Sequence, residues 1–245
     1  GARAVLVAAM ASGRGMTSVT AALARKLNRP VKWVETRSEH MAVSHHGRDQ
    51  IARVRMGATR DGTLTGLHVD ITADLGAYMM LLTPLIPSLG AFVMTGVYEW
   101  KSVRTDITGV FTNKMGTDAI RGAGRPEATH LIEVVMDQLA AELGMDRLEL
   151  RRKNFIAPDS NPHDTALGIV YDSGDYHGSL DKLMEMLDLD AYEAEKAEAA
   201  QEGKLLGIGY STYTEICGLA PSRVTGPQGF GLQTGLWESG MVRVH

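Results

Sequence analysis

The run Ile120-Arg121-Gly122-Ala123-Gly124-Arg125-Pro126-Glu127-Ala128 decides how the rest of the chain is read. Glycines on both sides of Ala123 let the backbone press against a ligand, because no Cβ stands in the way. Pro126 suits the first turn of a helix, where its missing N–H costs nothing. A helical pattern follows over 127–143, with Leu131, Val134, Val135, Gln138 and Leu139 as its buried face and Gly144 as its stop. The start of such a helix offers unpaired N–H groups and the positive end of a dipole, which suit an anion or an oxo group. The loop fails the two familiar nucleotide templates. It has no third glycine at Rossmann spacing and no Gly-Lys-Ser/Thr.

Downstream, 146–154 reads as a short helix whose basic triplet Arg151-Arg152-Lys153 pairs with carboxylates of the fold. Segment 180–187 is helical, and 192–202 is a charged helix facing solvent. Segment 204–214 reads as a strand, 220–235 as a glycine-rich loop, and 238–245 as a further strand. Upstream, 98–111 supplies a strand. The apolar stretch 79–94, broken by Pro84 and Pro87, is core or interface. Alternating runs 50–59 and 64–73 flank Asp61-Gly62, the signature of a β-hairpin. Segment 31–35 alternates as a short strand, and 20–27 ends a helix. Between them, 36–47 carries His40, His45 and His46. No cysteine or His-Glu-x-x-His pattern accompanies them, so they read as surface or structural histidines, not metal ligands. The fold class is α+β: mixed lobes with strands in hairpins and helices packed on them.

The chain has 245 residues, enough to bury about 70–75% of its unfolded surface. Hydrophobic content of 44% and charged content of 22% are those of a globular protein. A net charge of −4 excludes general affinity for nucleic acid. The single cysteine, Cys217, excludes a disulfide framework and a cysteine-based zinc or iron–sulfur site. The sequence has no run of 18 apolar residues to span a membrane. A reducing compartment fits, and the expected location is cytoplasmic.

The loop around Arg121, read with Leu148-Glu149-Leu150-Arg151-Arg152-Lys153-Asn154-Phe155-Ile156, resembles the molybdenum-binding large subunit of the molybdenum hydroxylases, the xanthine dehydrogenase and aldehyde oxidase family. The likeness is to its aerobic carbon monoxide dehydrogenase-like branch. Further matches are Arg29-Pro30-Val31-Lys32-Trp33, Asp74-Leu75-Gly76-Ala77-Tyr78, Tyr171-Asp172-Ser173-Gly174-Asp175-Tyr176 and Leu206-Gly207-Ile208-Gly209, in the family's order. Coverage runs over 20–245.

The resemblance implies a molybdenum–molybdopterin cofactor in its cytosine dinucleotide form, with FAD and 2Fe–2S clusters on partner subunits. The implied reaction inserts a water-derived oxygen into a C–H bond of an aldehyde or an aromatic N-heterocycle. It implies that Arg121, Gly122, Ala123 and Gly124 bind the cofactor, and that Ile120, Ala123 and Arg125 wall the substrate pocket. Ala123 stands where purine-oxidising relatives carry a stacking aromatic. Ile120 replaces the usual tyrosine. Carbon monoxide oxidisers have a copper-binding cysteine at about Gly122, and this loop has none, so no molybdenum–copper site is expected. The family's glutamate base, in a Gly-x-Gly-Glu motif, and its Gly-Gln-Gly pterin loop do not occur here. This chain is therefore expected to hold no catalytic residue and no protein ligand to metal. Its partners would be the rest of the large subunit, an iron–sulfur small subunit, an FAD medium subunit and a small-molecule substrate. The family's Gly-Gly-x-Phe-Gly-x-Lys loop is expected near residues 4–10 and is missing, which marks 1–19 as divergent or frame-altered. With a composition shift near 203, the expected plan is 1–19, a first lobe over 20–203, and the start of a second over 204–245. The alternative reading is a non-catalytic structural or interaction fragment without molybdenum.

Overall fold

The computed structural model describes residues 14–80, 82–215 and 241–243. The chain divides into two compact units, 1–212 and 213–245, and the geometry below belongs to the first. The structure is α+β, as the sequence pattern requires.

Strands β1 (Gln50–Ala58) and β2 (Leu64–Gly76) form the expected antiparallel hairpin. Its turn closes through Gly62, at φ +86°, whose N–H donates to the Thr59 carbonyl at 2.9 Å. Asp61 accepts from the hydroxyls of Thr59 and Thr63. Those bonds and Lys153 hold its carboxyl far below the usual range. Alternation sends Leu67, Val69, Ile71 and Ala73 of β2 into the core, and each is almost fully buried. β3 (Val103–Phe111) pairs parallel to β2 on its other side, from Leu67↔Val103 onward. A parallel neighbour needs a crossover. That crossover contains α3 (Leu85–Phe92), with Ile86, Pro87, Gly90 and Ala91 buried, so part of the 79–94 stretch is core, while Met79, Met80, Leu85 and Phe92 are exposed.

Helix α4 (Arg125–Leu143) follows the loop and ends at Gly144, at φ +65°. Its buried positions are Ala128, Ile132, Glu133, Met136 and Ala140, not the expected set. Val134 is 41% exposed. The strongly apolar face is turned to an open cavity, while small residues at Ala128 and Ala140 let the helix press close on the core side.

Helix α5 (Arg147–Asn154) is capped by Asp146, which accepts from the N–H groups of Leu148 and Glu149. Its basic triplet does pair with carboxylates: Arg151 with Glu133 and Asp137, Arg152 with Asp181, Lys153 with Asp61. Asn154 ties the helix to the hairpin, accepting from Leu64 N–H and donating to the Gly62 carbonyl, both at 2.9 Å. Arg151 has no exposed surface, and all five of its N–H groups have acceptors: Glu133, Asp137, and the carbonyls of Arg147, Glu133 and Tyr210. Glu133 also accepts from the Tyr98 hydroxyl at 2.5 Å and the Thr212 N–H at 2.9 Å. Burial, then the Glu133 charge, pushes the Tyr98 hydroxyl well above its ordinary pKa.

Two expected strands change. Segment 31–35 is not a strand, because a strand needs a ladder partner and none of the described residues provides one; Trp33 and Val34 stay exposed. Segment 204–214 likewise has no strand partner among the described residues, and is held instead through Tyr210 and Thr212. Segment 36–47 contains a helix, α2 (Arg37–Val43), started by a capping box between Thr36 and Glu39. Among the described residues the remaining helices are α1 (Arg14–Leu27), whose end the sequence placed at 20–27, α6 (Tyr176–Met186) and the exposed α7 (Leu189–Gln201). The expected loop at 220–235 and the missing family loop near 4–10 lie outside the described residues, as does most of 238–245.

Candidate functional site

The loop at 120–124 turns through three consecutive left-handed residues: Gly122 (φ +102°), Ala123 (φ +48°) and Gly124 (φ +94°). Alanine there is strained by about 1 kcal/mol. A Cβ on Gly124 would lie 2.2 Å from the Ile86 carbonyl oxygen, so only glycine lets the loop nest on α3. A Cβ on Gly122 would strike the Pro126 ring at 2.4 Å.

Two loop amides are satisfied internally. Ala123 N–H donates to the Ile120 carbonyl at 2.7 Å, and Arg125 N–H to the Gly122 carbonyl at 3.1 Å. The Arg125 guanidinium folds back onto that same carbonyl at 2.8 Å, so it braces the loop. Among the described residues, the N–H groups of Arg121, Gly122 and Gly124 have no acceptor. Three unspent donors at the start of a nineteen-residue helix fit an electron-rich group such as an oxo, sulfido or phosphate oxygen ligand.

The loop is held from beneath by residues remote in sequence. The His46 N–H donates to the Gly116 carbonyl at 3.1 Å, and Asp118 N–H to the His46 carbonyl at 2.8 Å. Asp118 accepts from the N–H groups of Leu82 and Ala119. Arg48 donates to the Arg121 carbonyl at 2.6 Å. Lower down, Lys114 bridges Asp49 and Asp74. Burial raises the Asp74 carboxyl, but Lys114, the Thr112 hydroxyl and the Gly76 N–H outweigh it and hold the pKa at about 2.

A cavity of about 720 Å³ opens beside the loop, between β1 and α4. Ala52, Val54, Leu131 and Val135 are among its apolar lining, and Arg48, Gln50, Glu127, His130 and Gln138 are its polar lining. Glu127 is 17% exposed, and its Oε2 is buried without a hydrogen-bond partner, 3.9 Å from Arg48 Nε. Of the expected residues Ile120, Arg121, Gly122, Ala123, Gly124 and Arg125, only Gly124 lines this cavity; the others precede or follow it in the loop without lining it. Arg48, Asp118 and Glu127 went unread in the sequence, and for Arg48 no local signal exists, since it lies 73 positions from its partner.

His40 Nδ1 lies 2.5 Å from Glu35 and 3.1 Å from Ser44. His46 Nε2 meets the Met41 carbonyl at 3.0 Å. Among the described residues no group of three or more His, Cys, Asp or Glu could hold a metal, and no helix is long and apolar enough to cross a membrane.

A model of the molybdopterin cofactor-binding domain matches residues 12–155. The chain belongs to this family, that of the molybdopterin-binding large subunits of molybdenum hydroxylases. It is 38% identical over 225 residues to the carbon monoxide dehydrogenase large chain of Hydrogenophaga pseudoflava, covering 89% of this chain and 28% of that one. It is 33% identical over 199 residues to the nicotine 6-hydroxylase large subunit of Paenarthrobacter nicotinovorans, covering 79% and 24%. The fold matches quinoline 2-oxidoreductase of Pseudomonas putida 86 with a TM-score of 0.78 at 31% identity, covering 86% of this chain and 27% of that one. The chain therefore spans about a quarter of the length of these relatives.

Proposed function

We propose that this chain supplies the cofactor-facing loop and part of the substrate-pocket wall of a molybdenum hydroxylase large subunit. One observation carries the reading: the unspent N–H groups of Arg121, Gly122 and Gly124, presented by a glycine-cradled loop at the head of α4. When bound, the molybdenum–molybdopterin group supplies oxygen insertion into a C–H bond and takes up the electrons. This chain's residues orient. The three amides donate to oxygen or sulfur ligands of the group, and α4's dipole adds a favourable field there. Ala123 leaves room over the loop for a flat ring or an aldehyde substituent. Ile120 and Arg125 wall that space, and Arg125 also stiffens it through the Gly122 carbonyl.

The substrate class we favour is an aromatic N-heterocycle or an aldehyde. Two relatives are named for nicotine and quinoline. The relative named for carbon monoxide does not decide the matter, because the loop lacks a cysteine for a copper partner. The proton-accepting glutamate is expected from the part of the subunit outside this sequence. The same reading brings the cytosine dinucleotide form of the cofactor, FAD and 2Fe–2S partner subunits, and a cytoplasmic location. We place the boundary between the two molybdopterin-binding lobes at 203/204, where composition shifts.

Elemental mass spectrometry with a native mass tests this. About one molybdenum per chain, in an assembly containing further polypeptides, is the expected result. A chain of its own mass without molybdenum would leave the structural fragment as the correct reading.

A further inference from the structure

We infer that Arg48 is a positioning residue for the cofactor-facing loop, a latch that fixes the Arg121–Gly122 peptide; this rests on the reading of the loop given above. Arg48 Nη2 donates to the Arg121 carbonyl at 2.6 Å. In a planar trans peptide the carbonyl and the following N–H point in opposite directions. Fixing the Arg121 carbonyl toward Arg48 therefore turns the Gly122 N–H away from it. That amide is one of the three without an acceptor among the described residues. Gly122, at φ +102°, has no Cβ to resist a flip of this peptide, so orientation must come from outside the loop.

The latch is itself held under constraint. Arg48 is a non-glycine residue at φ +61°. Such a conformation persists where the surroundings over-determine it, and it concentrates at functional positions. Here the neighbours do so. His46 bridges to Thr117, and a Cβ on Gly47 would lie 2.5 Å from Ile120 Cγ1, so 46–48 is pressed against the loop's approach. On its other side Arg48 Nε faces the unpartnered Glu127 Oε2 at 3.9 Å, which keeps the guanidinium over the junction of loop and helix. Three elements meet at one side chain: the entry to β1, the loop and the first turn of α4.

Two measurements test the latch. Hydrogen exchange on the full 245-residue chain needs no cofactor. Arg48→Ala should speed exchange of the Ala123 and Arg125 amides by about tenfold or more, while Val69 in β2 keeps its protection. Arg48→Lys, which retains one donor, should lie between. Unchanged loop exchange would overturn the proposal, and so would equal acceleration in β2, which would mean general destabilisation. In the assembled enzyme with its full-length large subunit, Arg48→Ala should keep its molybdenum, shift the Mo(V) paramagnetic resonance signal and lose about a hundredfold in kcat, with KM within about twofold. Arg48→Lys should recover part of both. A variant with wild-type signal and kcat would refute the latch. A wild-type enzyme without molybdenum would refute the cofactor reading and leave the exchange result to judge Arg48 alone.

Discussion

Helix α4 carries two arginine–glutamate pairs, and they could hardly be built more differently. Glu133 meets Arg151 at 3.0 Å in the dry interior, where every guanidinium N–H has an acceptor and Tyr98 and Thr212 complete the carboxylate. Six residues earlier, Glu127 faces Arg48 at 3.9 Å, with a carboxylate oxygen unpartnered and the arginine backbone left-handed. A buried charge is tolerated only when paired and fully hydrogen-bonded, so the first pair is a structural anchor. The second is half-satisfied and sits on a strained arginine backbone, a conformation that concentrates at functional positions. One helix thus joins a finished core to an unfinished surface, and the stability of the first holds the second in shape.

The contrast can be broken in several places. Arg151→Ala should have the largest effect, about 3–5 kcal/mol of stability, because it strands the buried Glu133 charge. Urea unfolding followed through the buried Trp100 would measure it, and a loss under about 1 kcal/mol would mean the anchor is no anchor. Ile132→Ala, on the same buried face, should cost about 2–4 kcal/mol. Next comes pH. Asp74, beneath the loop and 12% exposed, has its pKa lowered from 3.8 to about 2. A depressed carboxylate stabilises the fold above its unfolded pKa and loses that contribution as pH falls through the folded value. The stability difference between wild type and Asp74→Asn should therefore be full above about pH 4 and fade toward pH 2. Glu127→Gln should change stability by less than about 1 kcal/mol; a loss near that of Arg151→Ala would erase the distinction between the pairs. Val134→Ala should cost least, about 0.5 kcal/mol, since its side chain is largely open. If it matched Ile132→Ala in the same unfolding assay, the open face of α4 would be covered in solution.

Much of the fold was legible because its signals are local. The alternation through Leu67, Val69 and Ile71 and the Asp61-Gly62 turn define the hairpin without outside help. Pro126 and Gly144 bracket α4 within two residues of the expected limits. The Thr36/Glu39 capping box was equally local and marks a helix where the sequence reading saw only histidines. What failed depended on partners. Segment 31–35 has a strand's pattern and no ladder partner among the described residues. The buried face of α4 could not be ranked by hydrophobicity, because Ala128, Ala140 and Glu133 are inside for reasons of close approach and charge pairing, while Val134 faces a cavity.

The sequence alone determined that a glycine-flanked loop heads a long helix, that the chain is α+β, and that its motifs match one cofactor-binding family, since each depends on backbone freedom, periodicity or residue order within short range. Only the tertiary structure decided which face of α4 is buried, which loop amides remain unspent, and that Arg48 reaches the Arg121 carbonyl across 73 positions. Those are contacts between distant segments, and their specificity comes from shape and hydrogen-bond geometry that no local pattern encodes.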